Sequence, residues 1–407
     1  MRVLYLSYDG ILEPLGQSQV VSYLTGLAGS HTITLISYEK GHDLKNRMRL
    51  NALKKRLTGQ GIRWIALAYH KRPTLLATAW DIAVGIIVGS LVCIAQRIQI
   101  LHARGYVPSA IALCLKRLGG KRFLFDMRGF WADEKLEAEY WTKGSLAYRL
   151  AKRWERRFFE QADAIVSLTH EGVKAFPLLG YSIPRETPVE VIPTCVDLGR
   201  FTAGPKEEGL LRRLGRGRAL LVGSVGTLSG WYLRAETLSY LAFLVKHLLD
   251  AHVLFVTRED HAQLLQEALA YGLSAERVSL ARADFDEMPS YLRLMDLGVF
   301  FIKPCFSKKG SAATKLAEFL ATGVPVILND GVGDSGELVR KEKVGVVLED
   351  FHQRDFEESL RHVKELLSDP TRAVRCREAA LRTFDLTQGV RKYAALYKRL
   401  CNGAAVS

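Results

Sequence analysis

The stretch LGVFFIKPCFSKKGSAATKLAEFLATGVPVILN, residues 297–329, changes its hydrophobic pattern three times. It begins with an apolar run, LGVFFIK (297–303), and continues through a loop rich in lysine and small residues. Helical spacing follows in TKLAEFLAT (314–322), and a second apolar run, PVILN (325–329), comes directly after it. A strand, a helix and a second strand in this order predict a parallel sheet covered by helices.

The same alternation fills both halves of the chain. Apolar runs in the first half predict strands at 3–7, 32–38, 100–103, 122–127 and 164–168. Those in the second half predict strands at 219–226, 252–257, 278–281, 297–303, 325–329 and 344–349, with helices at 235–249 and 314–322. The segment VEVIPTCVDLGRF (189–201) breaks the alternation and is interpreted as a connector. We therefore predict an α/β protein of two doubly wound, Rossmann-like domains facing a cleft, over residues 1–190 and 200–385.

Length and composition agree with two folded domains. The chain has 407 residues, of which 48% are hydrophobic and 25% are charged, the balance of a folded soluble protein. Six scattered cysteines form no C-x-x-C pair and do not neighbour histidines at zinc-ligand spacing. The start, MRVLYLSYDG (1–10), has the pattern of a strand and not of a signal peptide. These features predict a cytoplasmic protein with reduced thiols and no metal.

Positive charge is concentrated in the first half of the chain. Residues 1–190 carry 27 Lys and Arg against 16 Asp and Glu, whereas the remainder carries 30 against 27. Such an excess favours an anionic partner. Two basic segments, 44–57 and 145–159, fit either an anionic membrane surface or the solvated faces of packed helices. No nucleic-acid-reading module is recognisable, so we predict no nucleic-acid partner.

One apolar segment could be mistaken for a membrane span. Residues 82–95, IAVGIIVGSLVCIA, are uncharged and are bracketed by Asp81 and Arg97. The segment is shorter than the roughly 20 residues that a spanning helix needs. We interpret it as a buried core helix, with a membrane-dipping segment as the alternative.

Two loops in the first half carry candidate site residues. Gly16 follows the first predicted strand and precedes a helix predicted from about Ser18, a place where backbone N–H groups can meet an anion. No G-x-G-x-x-G accompanies it, and an ordinary turn is the alternative. In FDMRGFWADE (125–134), Asp126 and Arg128 lie among aromatic residues where a strand ends, which indicates either a functional loop or an ion pair beside an aromatic plug.

The lysine-rich loop at 303–315 carries the strongest signal for an anion site. Lys303, Lys308 and Lys309 precede a helix that is predicted to begin near Ala313, with Lys315 in its first turn. Cations beside an amide-rich helix start form a phosphate cradle. Glu318, one turn further along, is placed to accept hydrogen bonds from sugar or ribose hydroxyls. The alternative is a solvated basic loop.

These motifs together resemble glycosyltransferase family four, which has the GT-B fold, over nearly the whole chain. The start, Y-D-G-x-x-x-P-L-G-Q-S-Q, resembles a bacterial subgroup, and V-E-V-I-P-T-C-V-D (189–197) resembles the family's interdomain segment. T-K-L-A-E-F-L-A-T-G-V-P-V-I (314–327) resembles its donor-site helix. G-S-V-G-T-L-S-G-W-Y (223–232) resembles the turn after the first strand of the second domain.

The resemblance implies a retaining glycosyltransferase that needs no metal or other cofactor. It implies a nucleotide sugar held mainly by the second domain, and a saccharide or lipid-linked acceptor held by the first, in bacterial polysaccharide assembly. A final helix within 386–407 would cross back to the first domain. The expected catalytic residues are Asp126, Arg128 and Glu318. The expected donor-binding residues are Gly16, Gln17, Ser224, Gly226, Thr227, Lys303, Lys309, Thr314, Lys315 and Glu318.

The chain also departs from the family pattern. The family carries two glutamates eight positions apart, and while Glu318 matches the second, the first falls on Gly310. The basic pair expected after the first strand of the second domain is absent from the sequence there, and Asp126 stands where a histidine is usual. A nucleotide-sugar epimerase of the same fold and a non-catalytic GT-B-like binding subunit therefore remain alternatives.

Overall fold

The computed structural model describes residues 1–215 and 219–402, which form two compact units. The first unit comprises Met1–Pro193, Lys309–Ser311 and the chain from Leu386 onward. The second unit comprises Thr194–Lys308 and Ala312–Asp385. Each unit is an α/β structure built on one parallel sheet, which confirms the predicted fold class.

The sheet of the first unit has seven parallel strands. They are β1 (Arg2–Ser7), β2 (Thr32–Glu39), β3 (Ile62–Ala68), β4 (Ile100–Arg104), β5 (Arg122–Asp126), β6 (Ala164–Ser167) and β7 (Val189–Val191). Their order across the sheet is β3-β2-β1-β4-β5-β6-β7. Val3 of β1 pairs with Ile33 of β2 on one side and with Ile100 of β4 on the other. The central strands are buried on both faces, as their unbroken apolar runs predict.

Helices cover both faces of this sheet. They are α1 (Pro14–Gly16), α2 (Ser22–Ala28), α3 (Gly41–Lys45), α4 (Arg47–Gly59), α5 (Thr74–Ala95), α6 (Tyr106–Gly119), α7 (Trp131–Glu137), α8 (Leu146–Gln161), α9 (His170–Lys174) and α18 (Leu386–Asn402). The chain moves one way across the sheet from β1 to β3 and the other way from β3 to β6. Right-handed crossovers therefore place α2 and α4 on one face and α5, α6 and α8 on the other. Helix α6 packs between α5 and α8, and α18 packs on α2.

The five strands predicted for the first half are confirmed to within one residue at each end. Two edge strands, β3 and β7, were not predicted. Strand β3 includes the exposed Arg63 and is largely half-buried, so it lacks a continuous apolar run. Strand β7 has three residues and opens the segment 189–201, so that segment begins as an edge strand and is not a connector throughout.

The interpretation of residues 82–95 as a buried core helix is wrong in extent and in burial. The helix runs over Thr74–Ala95, and only 28% of its most apolar 18-residue stretch is buried. By length and composition it is the one helix, among residues 1–215 and 219–402, that could cross a membrane. Its composition is apolar on every side, so periodicity could not show which side packs against the protein.

The second unit has a sheet of six parallel strands. They are β8 (Leu220–Val225), β9 (Ala251–Val256), β10 (Val278–Ala281), β11 (Leu297–Val299), β12 (Val326–Asn329) and β13 (Gly345–Leu348). Their order is β10-β9-β8-β11-β12-β13. All six were predicted, although β11 ends at Val299 and not at Lys303.

Eight helices belong to the described part of this unit. They are α10 (Glu208–Arg213), α11 (Arg234–His247), α12 (His261–Ala270), α13 (Met288–Arg293), α14 (Thr314–Ala321), α15 (Ser335–Glu342), α16 (Gln353–Ser368) and α17 (Arg372–Thr383). The helices predicted at 235–249 and 314–322 are confirmed as α11 and α14. Helix α14 packs against α17, and its buried Leu316, Phe319 and Leu320 belong to one apolar core with β8 and β12.

Close packing between α14 and the sheet depends on a glycine in β11. A Cβ at Gly298 would lie 2.7 Å from the ring of Phe319, which is fully buried. We predict that Gly298→Ala lowers the free energy of unfolding by about 1–3 kcal/mol, because the rigid ring has no room to move. Urea unfolding measures the change. Gly209→Ala in α10 is the control, since a Cβ there meets no atom within 4 Å. Equal stability of Gly298→Ala and wild type would contradict this packing.

Candidate functional site

Polar side chains meet at the carboxyl ends of the central strands of the first unit. The strand order reverses between β1 and β4, and open parallel sheets bind ligands at such a switch point. Asp9 follows β1, Arg104 ends β4 and Asp126 ends β5. Arg104 Nε lies 3.4 Å from Asp9 Oδ2, so the ends of these strands share one cluster of charge.

Asp126 is the centre of this cluster. His102 Nε2 lies 3.4 Å from its Oδ2, and Arg128 Nη1 lies 3.7 Å from its Oδ1. The Tyr393 hydroxyl donates to Oδ2 over 3.0 Å. Burial favours the neutral acid, but Arg128, His102 and Arg104 together hold the pKa of Asp126 below its usual range. Asp126 is therefore a buried carboxylate at neutral pH.

Three members of the cluster were missed by sequence reasoning: His102, Arg104 and Tyr393. Burial lowers the pKa of His102, so its ring is neutral, and its Nδ1 lies 2.6 Å from the Tyr397 hydroxyl. The segment HARGY at a strand end was the available signal for the histidine and the arginine. No local pattern links Tyr393 on α18 to Asp126, which lies 267 positions earlier.

Two buried polar atoms at this strand edge are available to form hydrogen bonds with a ligand. Within residues 1–215 and 219–402, Arg104 Nη1 and Asp126 Oδ1 are buried and have no hydrogen-bond partner. In the loop that follows β5, Arg128 has φ +58°, a left-handed conformation that is uncommon for a non-glycine residue, and Gly129 has φ +127°, which glycine adopts readily.

The remainder of that loop has a structural role. Phe130 is fully buried. Asp133 accepts hydrogen bonds from the Tyr148 hydroxyl and from Lys152 Nζ, both over 2.9 Å, which ties α7 to α8. An ion pair beside an aromatic plug therefore describes the segment from Phe130 onward.

Gly16 lies inside the first helical turn and not before it. The helix predicted from about Ser18 begins at Pro14, and a π-helical turn over Gln17–Val21 joins α1 to α2. A Cβ at Gly16 would lie 2.2 Å from the carbonyl oxygen of Gly10, so only glycine fits. The side chain of Gln17 donates to the carbonyl of Ile11 and accepts from Arg56. Both residues thus shape the loop at the end of β1.

Three residues of the lysine-rich loop belong to the first unit. The Thr169 hydroxyl donates to the Lys309 carbonyl over 2.5 Å. A Cβ at Gly310 would lie 3.1 Å from the Phe130 ring and 3.3 Å from the Gly129 backbone. The position where the family pattern has its first glutamate is therefore tightly packed, and a larger side chain there would have to displace its neighbours.

In the second unit, Lys315 is buried at the start of α14. Its Nζ lies 3.5 Å from the centre of the Tyr232 ring and 3.4 Å from the Thr227 carbonyl oxygen, to which it donates. A Cβ at Gly226, which has φ +79°, would lie 3.6 Å from the same nitrogen. Burial lowers the pKa of Lys315 to about 7. The fold therefore places the amine of Lys315 in contact with the loop that follows β8.

Glu318 lies one turn further along α14 and is half-buried. Burial raises the pKa of its carboxyl to about 7, against the opposing effect of Arg200 and Lys315. Arg200 stacks on the Phe285 ring, with its guanidinium 3.3 Å from the ring centre. Lys315 and Glu318 thus both titrate near neutrality, a property that is frequent at functional sites.

The loop after β8 is fixed by one carboxylate. Glu259 accepts a hydrogen bond of 2.5 Å from Thr227, one of 2.9 Å from the Leu228 amide and one of 2.8 Å from the Ser229 hydroxyl. It also pairs with Arg234 at 2.5 Å. Although its partial burial opposes ionisation, these donors lower the pKa of Glu259 to about 2. The loop is therefore held in place by a permanent negative charge.

The other predicted donor-binding residues lie near this loop to different degrees. Ser224 is buried within β8, and Thr314 opens α14. Lys303 has an exposed side chain, and its amide donates to the Trp231 carbonyl over 2.9 Å. Lys308 Nζ stacks on the Trp231 ring at 3.8 Å. Lys308 and Lys315 thus both lie against aromatic rings of the segment that follows β8.

A polar cavity of about 310 Å³ opens further along the same sheet edge. Arg258 follows β9 and Arg282 follows β10, and both line the cavity with Asp284 and Glu287. In the described ranges, 1–215 and 219–402, no three His, Cys, Asp or Glu side chains converge as a metal site.

Comparisons with known proteins agree with the fold of the chain. Residues 18–195 match the family described as Glycosyl transferase 4-like domain. No curated protein matches the chain. Among solved structures, sucrose-phosphate synthase from Thermosynechococcus elongatus is 15% identical, with a TM-score of 0.72 over 99% of this chain and 100% of that one.

HepE from Anabaena is also similar. Its complex with UDP is 16% identical, with a TM-score of 0.71 over 98% of this chain and 100% of that one. Its complex with UDP-glucose is 16% identical, with a TM-score of 0.69 over the same shares. At such identities the likeness establishes the fold.

From the shifted pKa values of Lys315 and Glu318, we expect both charges to lower the free energy of unfolding at neutral pH. The loss of unfolding free energy due to burying the charged Lys315 is complete below pH 7, the pKa in the folded protein, and disappears as the pH rises toward 10.5, the pKa in the unfolded chain. The loss due to burying the charged Glu318 is complete above pH 7 and disappears as the pH falls toward 4.5. We predict that Lys315→Met/Glu318→Gln raises the free energy of unfolding by about 1–4 kcal/mol. The gain should be largest near pH 7.

Urea unfolding between pH 5 and 9 measures this gain, both limits being about two units from the midpoint. The exposed pair Glu337→Gln/Lys341→Met on α15 is the matched control and should change stability by no more than about 0.5 kcal/mol. A double variant less stable than wild type at pH 7 would show that the pair stabilises the fold.

Proposed function

We propose that this chain, a glycosyltransferase of the GT-B fold whose residues 18–195 form a glycosyl transferase 4-like domain, moves a sugar from a nucleoside-diphosphate sugar to a saccharide or lipid-linked acceptor. One observation carries the proposal. The amine of Lys315 is buried at a helix start, against the loop that follows the first strand of the second unit. A buried cation at an amide-rich helix end is suited to a diphosphate.

The lysine and the helix act together on the donor. The backbone amides of Thr314 and Lys315 open α14, and Gly226 leaves the facing loop without a side chain. Phosphate charge beside Lys315 restores the proton that burial disfavours. UDP and UDP-glucose in the HepE structures support a nucleoside diphosphate here as well. The polar cavity at Arg258 and Arg282 is on the same sheet edge and suits the nucleoside end.

The proposed reaction breaks the bond between the anomeric carbon of the sugar and the β-phosphate oxygen. Negative charge develops on the leaving diphosphate, and a preorganised cation with helix amides stabilises it most effectively. The acceptor oxygen bonds to the anomeric carbon with retention of configuration, and its proton passes to the leaving phosphate. No protein nucleophile or metal is needed. Glu318 accepts hydrogen bonds from hydroxyl groups of the donor.

The first unit supplies the acceptor contacts in this proposal. Asp126 is held as a carboxylate and can accept a hydrogen bond from an acceptor hydroxyl. Arg128 and the unpaired nitrogen of Arg104 can orient an anionic group. The further donor contacts proposed are Gly16, Gln17, Ser224, Thr227, Lys303 and Lys309.

The proposed setting is bacterial polysaccharide assembly at the cytoplasmic side of a membrane, with the enzyme bound peripherally. The two basic segments contribute unequally. Segment 44–57 lies in α3 and α4 and contacts the α1–α2 side, where Arg49 donates to the Leu12 carbonyl over 2.5 Å. Segment 145–159 lies in α8 on the opposite face of the sheet. A single membrane contact therefore uses only one of the two, and we assign it to α8.

UDP binding should weaken as pH rises from 7 to 9. The pKa of Lys315 is about 7 in the free protein, so binding above this pH must take up a proton. The affinity then falls by at most about tenfold per pH unit. Lys315→Met should cost about 1.5–3 kcal/mol of binding free energy at pH 7 and remove the part of the pH dependence that comes from protonation of Lys315.

Isothermal titration with UDP, and with GDP for comparison, measures both effects. Lys246→Met, an exposed lysine of the same unit, should bind as wild type does. If the folded Lys315→Met variant binds UDP with unchanged affinity, Lys315 does not bind the diphosphate.

Glu318→Gln should lower kcat by roughly 10–100-fold, since a neutral amide accepts weaker hydrogen bonds from donor hydroxyls in the transition state. The fold should be retained, because Glu318 is half-buried. Release of UDP from UDP-sugar in the presence of acceptor is the readout. Full activity would reduce Glu318 to a surface residue of its helix.

A further inference from the structure

Helix α5 presents a broad apolar face to its surroundings. Six large apolar side chains are each at least half exposed, at spacings of one to seven residues along the helix. They are Leu75, Leu76, Trp80, Ile87, Leu91 and Ile94. Large apolar side chains exposed together on one helix can mark a binding surface. We call these six residues the α5 apolar face.

The opposite side of α5 is fastened to the first unit along its length. A Cβ at Gly85 would lie 2.5 Å from Ile111, and one at Gly89 would lie 2.8 Å from Leu115, so the helix and α6 are in close contact. Asp81 is buried and accepts a hydrogen bond of 2.6 Å from the Tyr8 hydroxyl. A helix held in this way lies along the surface of the unit and is not free to cross a bilayer.

Positive charge surrounds the α5 apolar face. Lys71 and Arg72 precede the helix, and Arg97 follows it, all three exposed. Asp81, the one acidic residue of α5, faces inward, and the helix contains no Lys, Arg or His. The face is therefore an uncharged strip between basic ends.

The neighbouring helices extend this pattern. Helix α6 lies between α5 and α8 and ends with the exposed Leu118 beside Arg117. On α8, the exposed Leu146 and Leu150 share one helical side with Arg153, which is also exposed. The layer thus combines apolar and basic side chains, as interfacial membrane-binding helices do.

We propose that the α5 apolar face enters the interface of an anionic bilayer, with α5 parallel to the membrane plane and the basic residues of α5 and α8 at the headgroups. Charge selects lipid over a second copy of the chain as the occupant. A two-fold contact would bring the basic rims of both copies together, which is repulsive. Anionic headgroups complement the same rims. The inference rests on the peripheral membrane setting proposed above but not on sugar transfer, since a catalytically inactive variant would bind equally.

The test uses flotation of the full chain with vesicles of phosphatidylcholine and phosphatidylglycerol. Wild type should float with the vesicles and remain largely bound at about 0.5 M NaCl, because apolar insertion survives screening of the charges. Ile87→Glu/Leu91→Glu/Ile94→Glu should weaken binding at least about tenfold. These side chains are 62%, 64% and 78% exposed, so the fold tolerates the change, which circular dichroism checks.

Met48→Glu is the matched control, because Met48 is 85% exposed on α4, on the other face of the sheet. It should bind as wild type does. Vesicles with brominated acyl chains should quench tryptophan emission less in Trp80→Phe than in wild type. Three results would overturn the proposal: no vesicle binding, full loss of binding at high salt, or a triple variant that binds normally. A wild-type dimer that dissociates in the triple variant without vesicle binding would also overturn it.

Discussion

The arrangement of the second unit around its candidate site depends on one contact, in which the Lys315 amine is buried against the Tyr232 ring beside the loop that follows β8. Gly226 turns the loop beside the amine with a φ of +79°, a conformation that favours glycine. Glu259 holds that loop through hydrogen bonds to its amides and hydroxyls. Behind the lysine, Phe319 packs on Gly298 and fixes the position of α14. The loop after β8 and helix α14 thus hold the Lys315 amine in a place where its charge is disfavoured by burial. Such an arrangement is expected where a protein is less stable than it could be because of its function.

The first unit also buries a charged side chain near its candidate site, but here the charge is negative. Asp126 is a carboxylate buried among Arg128, Arg104 and the neutral His102, so its ionisation depends on neighbours and not on water. Tyr393 of α18 donates to it, which links the last helix of the chain to the end of β5. Each unit therefore places an ionisable side chain at the carboxyl ends of its strands, where parallel sheets bind ligands.

The sequence predicted both sheets because buried parallel strands are continuous apolar runs. It failed for β3 and β7, since edge strands are half-exposed and lose that pattern. The position of Lys315 and Glu318 at the start of a helix before a strand could be predicted, because the helix and the strand each have a local apolar pattern. Tyr393 could not, because its contact with Asp126 depends on how distant segments pack. The sequence also predicted too much burial for α5, because a helix that is apolar on every side does not show in its sequence which side packs against the protein.

In the proposed function, Lys315 and the start of α14 bind the diphosphate of a sugar nucleotide. A crystal structure of the protein with UDP would test this assignment. We expect a β-phosphate oxygen within about 3 Å of Lys315 Nζ, with further oxygens on the amides of Thr314 and Lys315. UDP bound elsewhere, with the Lys315 amine still against Tyr232 and no phosphate beside it, would show that this is not the diphosphate site.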